Sequence, residues 1–113
     1  MTIEEYAFGR IRIEGRSYTS DVIIFPDRVD ASWWRKEGHR LCPDDLEDVV
    51  AAAPEVLVIG TGALGVMRVP EETLAWLRAR GIEVRCATTG KAVEIFNDLA
   101  ESKKAVAALH LTC

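Results

Sequence analysis

The chain has 113 residues, with 14 lysines and arginines against 18 aspartates and glutamates, a formal net charge of −4, and 49% hydrophobic residues. That length fits one domain with its own core, and that composition excludes disordered and collagen-like chains. The acidic balance argues against nonspecific nucleic-acid binding, the apolar runs are too short to span a membrane, and the acidic start lacks the apolar stretch of a signal peptide.

In chain order, Tyr6–Phe8 and Ile11–Ile13 alternate with polar residues and read as strands. Glu14-Gly15-Arg16 is a hairpin turn, with Gly15 supplying the permissive backbone. Tyr18 to Phe25 reads as a second strand ending at the Pro26-Asp27 turn signal. Val29 to Arg35 reads as a third, with Val29, Ala31 and Trp33 on one face and Asp30, Ser32 and Trp34 on the other. One tryptophan of the Trp33-Trp34 pair then packs inward. The other points outward, either as a partly covered surface residue or as an interface contact, including one between two copies of the chain. Gly38 to Cys42 reads as loop.

The second half alternates helix and strand. Pro43-Asp44-Asp45 opens a helix, with proline in the first turn and carboxylates near the positive dipole end. Leu46, Val49, Val50 and Ala53 keep helical spacing, and Pro54 stops it. Val56 to Ile59 is a continuous β-branched and apolar run, the mark of a central strand. Pro70-Glu71-Glu72 opens a second helix that ends at Gly81, and Ile82 to Ala87 is the next strand. Thr88 or Thr89 caps a third helix with the stripe Ala92, Ile95, Phe96 and Leu99. Ala105 to Leu111 is the last strand. The order β-β-β-α-β-α-β-α-β, with no dividing linker, gives a single α/β domain over residues 1–113. Its N-terminal antiparallel strands precede a β-α-β-α-β part with a mixed central sheet, and the helices are expected mainly on one face.

Gly60-Thr61-Gly62-Ala63-Leu64-Gly65 matches the spacing of a dinucleotide-binding turn and follows an apolar strand. The helix that should receive the pyrophosphate is missing, because Val66-Met67-Arg68-Val69 leads into Pro70. The acidic residue that should bind a ribose is also displaced, since Glu83 stands at the wrong end of the next strand. The segment therefore reads as a glycine-lined bend where another backbone or a small ligand comes close.

Thr88-Thr89-Gly90-Lys91 brings hydroxyls, an ammonium and a helix start together, as a small-anion site would, or as a capped helix with a solvated lysine. It is no P-loop, because Arg85 and Ala92 occupy positions that motif reserves for glycine and serine or threonine. Ligands gather at the carboxyl ends of adjacent strands, so Gly60, Thr61, Gly62, Thr88, Thr89 and Lys91 form a candidate ligand pocket between loops 60–65 and 88–91. Three unpaired cysteines without a C-x-x-C pair fit reduced thiols in a cytoplasm, and Cys86 reads as a small buried apolar residue. His110 reads as a strand histidine with a hydrogen-bond partner, in poor spacing with Cys113 for a metal, and no metal site is assigned. His39 with a cysteine would make a nucleophilic pair, but no third orienting group is identifiable.

Several stretches in fixed order resemble one family: Phe25-Pro26-Asp27, Trp33 through His39, Val56 to Gly65, Ala92-Val93-Glu94-Ile95-Phe96-Asn97, and Val106 to Cys113. The chain resembles the Mth-type domain of unknown function, the family of an adipogenesis-associated protein and of a mitochondrial complex I assembly factor. The third-helix motif reads Phe96-Asn97 where many relatives have Tyr-Asn, which removes a hydroxyl. The resemblance implies a three-layer β/β/α fold, with a small antiparallel sheet, a mixed central sheet and a layer of helices. It implies no established catalytic residues and no cofactor, and it points to assembly or regulatory roles through protein contacts. The expectation is thus a non-enzymatic protein-binding module, with a small-ligand protein or small enzyme as the alternative.

Overall fold

The computed structural model describes residues 1–113. Three short strands, β1 (Ile3–Ala7), β2 (Arg10–Ile13) and β3 (Arg16–Tyr18), form an antiparallel meander. The β2–β3 turn is made by Glu14 (φ 48°) and Gly15 (φ 81°), both left-handed, as a tight hairpin of right-handed twist requires. Ile11 and Ile13 point inward between exposed arginines, so one face of this small sheet is core.

The larger sheet contains β4 (Val22–Ile24), β5 (Val29–Asp30), β6 (Val56–Thr61), β7 (Glu83–Ala87) and β8 (Ala105–His110), in the order β5-β4-β8-β6-β7. β6 pairs in parallel with both β7 and β8, whereas β4 runs antiparallel to β8. Every residue of β8, and all of β6 except Thr61, is buried, because both faces of the sheet are covered. Val56 and Val58 face one core with Ile3, Ile11, Ile13 and Phe96; Leu57 and Ile59 face the other with Trp33, Leu46, Val49 and Leu77.

A 3-10 turn over Pro43–Leu46 leads into helix α1 (Glu47–Ala52), which ends at Ala53 in the left-handed region, just before Pro54. Helices α2 (Glu71–Arg78) and α3 (Thr89–Ala100) follow. The helices do not share one face: α1 and α2 pack with Leu57 and Ile59, while α3 lies on the opposite side beside the small sheet. Topology explains this. The chain steps outward from β6 to β7 and then back across β6 to β8, and right-handed crossovers in opposite directions place their helices on opposite faces. No helix is long and apolar enough to cross a membrane.

Two strand expectations need correction. Tyr18–Phe25 is not one strand: β3 ends in the small sheet, and after a break at Thr19-Ser20-Asp21 β4 starts in the large one. Val29–Arg35 is a strand only over Val29–Asp30, because the Asp30 carboxylate accepts the Ser32 backbone N–H (3.0 Å) and hydroxyl (3.1 Å) and turns the chain away. Cys86, expected to be buried, is exposed, because β7 is an edge strand with no neighbour beyond it.

Candidate functional site

The carboxyl ends of β6 and β7 meet where α2 and α3 leave on opposite faces, the switch point at which such sheets commonly bind ligands. The glycine segment after β6 stays non-helical until α2 begins at Glu71, as its sequence requires. Its glycines admit another stretch of the same chain. A Cβ on Gly62 (φ +105°) would lie 2.5 Å from the carbonyl carbon and oxygen of Cys113 and 2.9 Å from the oxygen of Thr112. A Cβ on Gly60 would meet Leu109 Cδ2 and Thr89 Oγ1 at 2.8 Å.

Loops 60–65 and 88–91 are in direct contact. The Thr89 backbone N–H donates to the Gly62 carbonyl (3.0 Å). The Thr89 hydroxyl, fully buried, accepts from the Gly62 N–H (2.9 Å) and donates to the His110 carbonyl (2.6 Å). Thr88 holds the N-cap position of α3 without a side-chain cap bond. Thr61, half-buried, donates from its hydroxyl to the Ala87 carbonyl (3.1 Å). Lys91 is exposed beside Glu94, 3.9 Å away. Gly60, Gly62 and Thr89 therefore lie together in the interior, while Thr88 and Lys91 present side chains to solvent.

Residues 110–113 pass through this end of the molecule and are held from several sides. Leu111 accepts at its carbonyl from the Gly9 N–H (2.9 Å) and the Tyr6 hydroxyl (2.8 Å). Thr112 and Cys113 accept from the N–H groups of Ala63 (2.6 Å) and Val66 (2.9 Å). Beneath the tail lies a buried polar cluster that the sequence did not single out as a unit. Asp21 accepts from the Leu111 N–H (2.8 Å) and from Nδ1 of His110 (2.8 Å). Because an ionised carboxylate only accepts, the network places the His110 proton on Nδ1. Nη1 of Arg35, itself buried, lies 2.8 Å from the same carboxylate but off the hydrogen-bonding line, while its Nη2 donates to the Gly38 carbonyl (2.9 Å). Burial alone would raise the Asp21 pKa; the hydrogen bonds from His110 and the Leu111 backbone, with the Arg35 guanidinium beside the carboxylate, outweigh it and hold the carboxyl below its ordinary range. His39 packs edge-on to the His110 ring, and its Nε2 lies 3.9 Å from Cys113 Sγ, so the cysteine beside His39 is Cys113.

Exposed apolar side chains lie on the segments that hold this tail. Four large hydrophobic side chains are exposed in the whole chain: Phe8 (64%), Trp34 (74%), Leu64 (76%) and Val66 (43%). Phe8 precedes Gly9, which bonds Leu111; Leu64 and Val66 lie within the segment whose Ala63 and Val66 amides bond Thr112 and Cys113; Trp34 precedes Arg35, which lies against His110. Trp33 points inward, its indole N–H donating to the Asp45 carbonyl (3.0 Å), so the outward member of the pair is Trp34. Beside Val66, Arg40, Arg68, Val69 and Pro70 line an open cavity of about 490 Å³. Phe8, Leu64, Val66 and Arg68 were not recognised from the sequence, since single exposed apolar residues are ordinary until the fold gathers them.

The comparisons with known proteins agree with this architecture. A conserved hypothetical protein of Pyrococcus horikoshii superposes with a TM-score of 0.85 at 28% identity, over 100% of both chains. A Bartonella henselae protein, called an outer membrane protein, superposes with a TM-score of 0.83 at 30% identity, over 98% of this chain and 94% of that one. A Bordetella pertussis protein described as a Mth938-like domain shares the fold, with a TM-score of 0.68 at 22% identity over 97% and 85% of the two chains. The family model for a protein of unknown function (DUF498/DUF598) matches residues 3–111, and with the Mth938-like fold this makes the chain a member of that family, the Mth-type domain.

Proposed function

We propose that this domain is a non-enzymatic binding or assembly module that docks a partner protein on the end of the fold where β8 emerges. One observation carries the reading: every exposed large hydrophobic side chain sits on a segment tied to residues 110–113. Aromatic and aliphatic anchors gathered over a rigid base are the usual composition of a docking face. The base here is rigid because residues 110–113 are bonded to Tyr6 and Gly9, to Asp21, to Ala63 and Val66, and to Thr89, and are seated over the Asp21–His110–Arg35 cluster. The unpaired state of Cys42, Cys86 and Cys113 supports the cytoplasmic setting expected for such a module.

The test is affinity capture from native extract with the intact chain and with a Phe8→Ser/Leu64→Ser variant. A partner recovered reproducibly with the parent chain and lost with the variant is the expected result. No reproducible partner at any salt, or equal capture by both chains, overturns the reading.

A small-ligand site between loops 60–65 and 88–91 is the alternative, favoured by its place at the carboxyl ends of β6 and β7. It has to rely on Thr88 and Lys91, because Gly60, Gly62 and Thr89 are already engaged within the protein. Loss of a thermal shift by a screened small molecule on Thr88→Ala/Lys91→Ala substitution would favour it. A homodimer through Trp34 competes for the same apolar end, and sedimentation as a monomer at high concentration eliminates it.

A further inference from the structure

Basic side chains on this acidic protein are mostly matched with carboxylates. Arg10 pairs with Glu5, Arg12 with Glu4, Arg28 with Asp27, Arg40 with Glu72, Arg78 with Glu71 and Arg85 with Glu83. Arg80 lies over the Trp76 ring and donates to its carbonyl. Arg16 and Arg68 alone among the arginines have no such partner, and Arg16 shares its concavity with Glu14. Arg68 opens instead into the 490 Å³ cavity, where its companion Arg40 gives Glu72 one contact at 3.0 Å and remains half exposed.

The backbone fixes where Arg68 points. Its N–H donates to the His39 carbonyl (2.7 Å), and its carbonyl accepts from the Leu41 N–H (2.8 Å). Met67 between Val66 and Arg68 is buried, and both its neighbours are exposed, so the apolar and the cationic side chain emerge on the same side of this non-helical segment. The cationic cavity thus opens on the side of the segment from which Val66, two residues before Arg68, also emerges.

We propose that the docked partner segment carries a carboxylate next to an apolar residue: the apolar side chain covers Leu64 and Val66, and the carboxylate enters the cavity between Arg40 and Arg68. This rests on the docking reading above and specifies the partner's chemistry. A guanidinium presents paired donors that match a carboxylate, and an arginine with no internal counter-ion is free to offer them without breaking a bond of its own. Opposite charge at the edge of an apolar contact sets register and partner choice.

The experiment uses a displayed random-peptide library panned against the full chain, with the enriched peptides then synthesised and titrated. Peptides with aspartate or glutamate adjacent to leucine, phenylalanine or tryptophan are expected. Their binding weakens by about tenfold on Arg68→Glu substitution, and similarly when the peptide carboxylate becomes an amide, with weaker binding at high salt. Arg68→Gln, which keeps size and removes charge, gives an intermediate loss, and circular dichroism confirms that both variants keep the fold. Enriched peptides that depend on Phe8 and Leu64 but bind Arg68→Glu as tightly as the parent overturn this inference and leave the docking reading intact. Peptides indifferent to all three positions, or no enrichment, overturn both.

Discussion

Nδ1 of His110 lies 2.8 Å from Oδ2 of Asp21, joining the end of β8 to the break between the two sheets across most of the chain. Arg35, with a side chain only 6% exposed, presents its charge to the same carboxylate. Removing that carboxylate leaves a buried guanidinium without a counter-charge, so Asp21→Asn should cost about 3 kcal/mol or more. Urea unfolding at neutral pH measures the loss.

The sign of the pH dependence follows from the same contacts. The folded-state pKa of Asp21 lies below its unfolded value, which is near 3.9. Its stabilisation is therefore complete above that value and is lost as pH falls through the depressed folded pKa. The stability gap between the parent chain and Asp21→Asn should be flat from neutral pH downward and narrow only in acid. A gap that narrows near neutral pH would show that another group controls it.

Gly62 determines whether the tail can lie where it does. Alanine there adds a strained φ of +105° to a Cβ 2.5 Å from the Cys113 backbone. Gly62→Ala should destabilise the fold by more than about 1 kcal/mol. It should also release the tail: the amides of Ala63 and Val66, which donate to Thr112 and Cys113, lose protection against hydrogen exchange. Gly90→Ala, at a helical position with nothing within 4 Å, serves as the control and leaves that protection unchanged.

Thr89 tests what the switch point is for. Its hydroxyl joins the Gly62 N–H to the His110 carbonyl, and a valine of similar shape leaves both unsatisfied. Thr89→Val should lower stability by about 1–3 kcal/mol, and Thr89→Ser should recover most of it. Thr88→Ala and Lys91→Ala, on exposed side chains, should stay within about 0.5 kcal/mol of the parent in thermal or urea unfolding.

Local pattern carried most of the fold. The run Val56–Ile59 announces a strand covered on both faces, the proline and acidic starts announce the first two helices, and Pro70 forbids a helix directly after Gly62. What failed were features decided by distant partners. Tyr18–Phe25 looks like one strand until Asp21 is drawn to a histidine 89 positions away. Cys86 sits in an apolar strand pattern, but its burial depends on β7 being at an edge, which strand order alone decides. The candidate site divides the same way. Gly62 was legible as a close approach, whereas Phe8 and Leu64 acquire meaning only when the tail brings their turns together.

Trp33 and Trp34 are adjacent in sequence and opposite in environment, which separates folding from docking. Trp33 is 8% exposed, donates to the Asp45 carbonyl and packs under Arg35, whose guanidinium carbon is 4.7 Å from its ring centre. Truncating it to alanine should cost about 3–5 kcal/mol through the cavity left behind. Trp34, 74% exposed, touches no core cluster, so Trp34→Ala should leave the unfolding midpoint nearly unchanged. If the apolar end is the docking face, Trp34→Ala still weakens partner capture, because an outward tryptophan beside a rigid base is the residue type that most often dominates such contacts. A Trp34 variant that captures partner as well as the parent chain would restrict the face to Phe8, Leu64 and Val66; a destabilised one would mean that Trp34 packs on the fold itself.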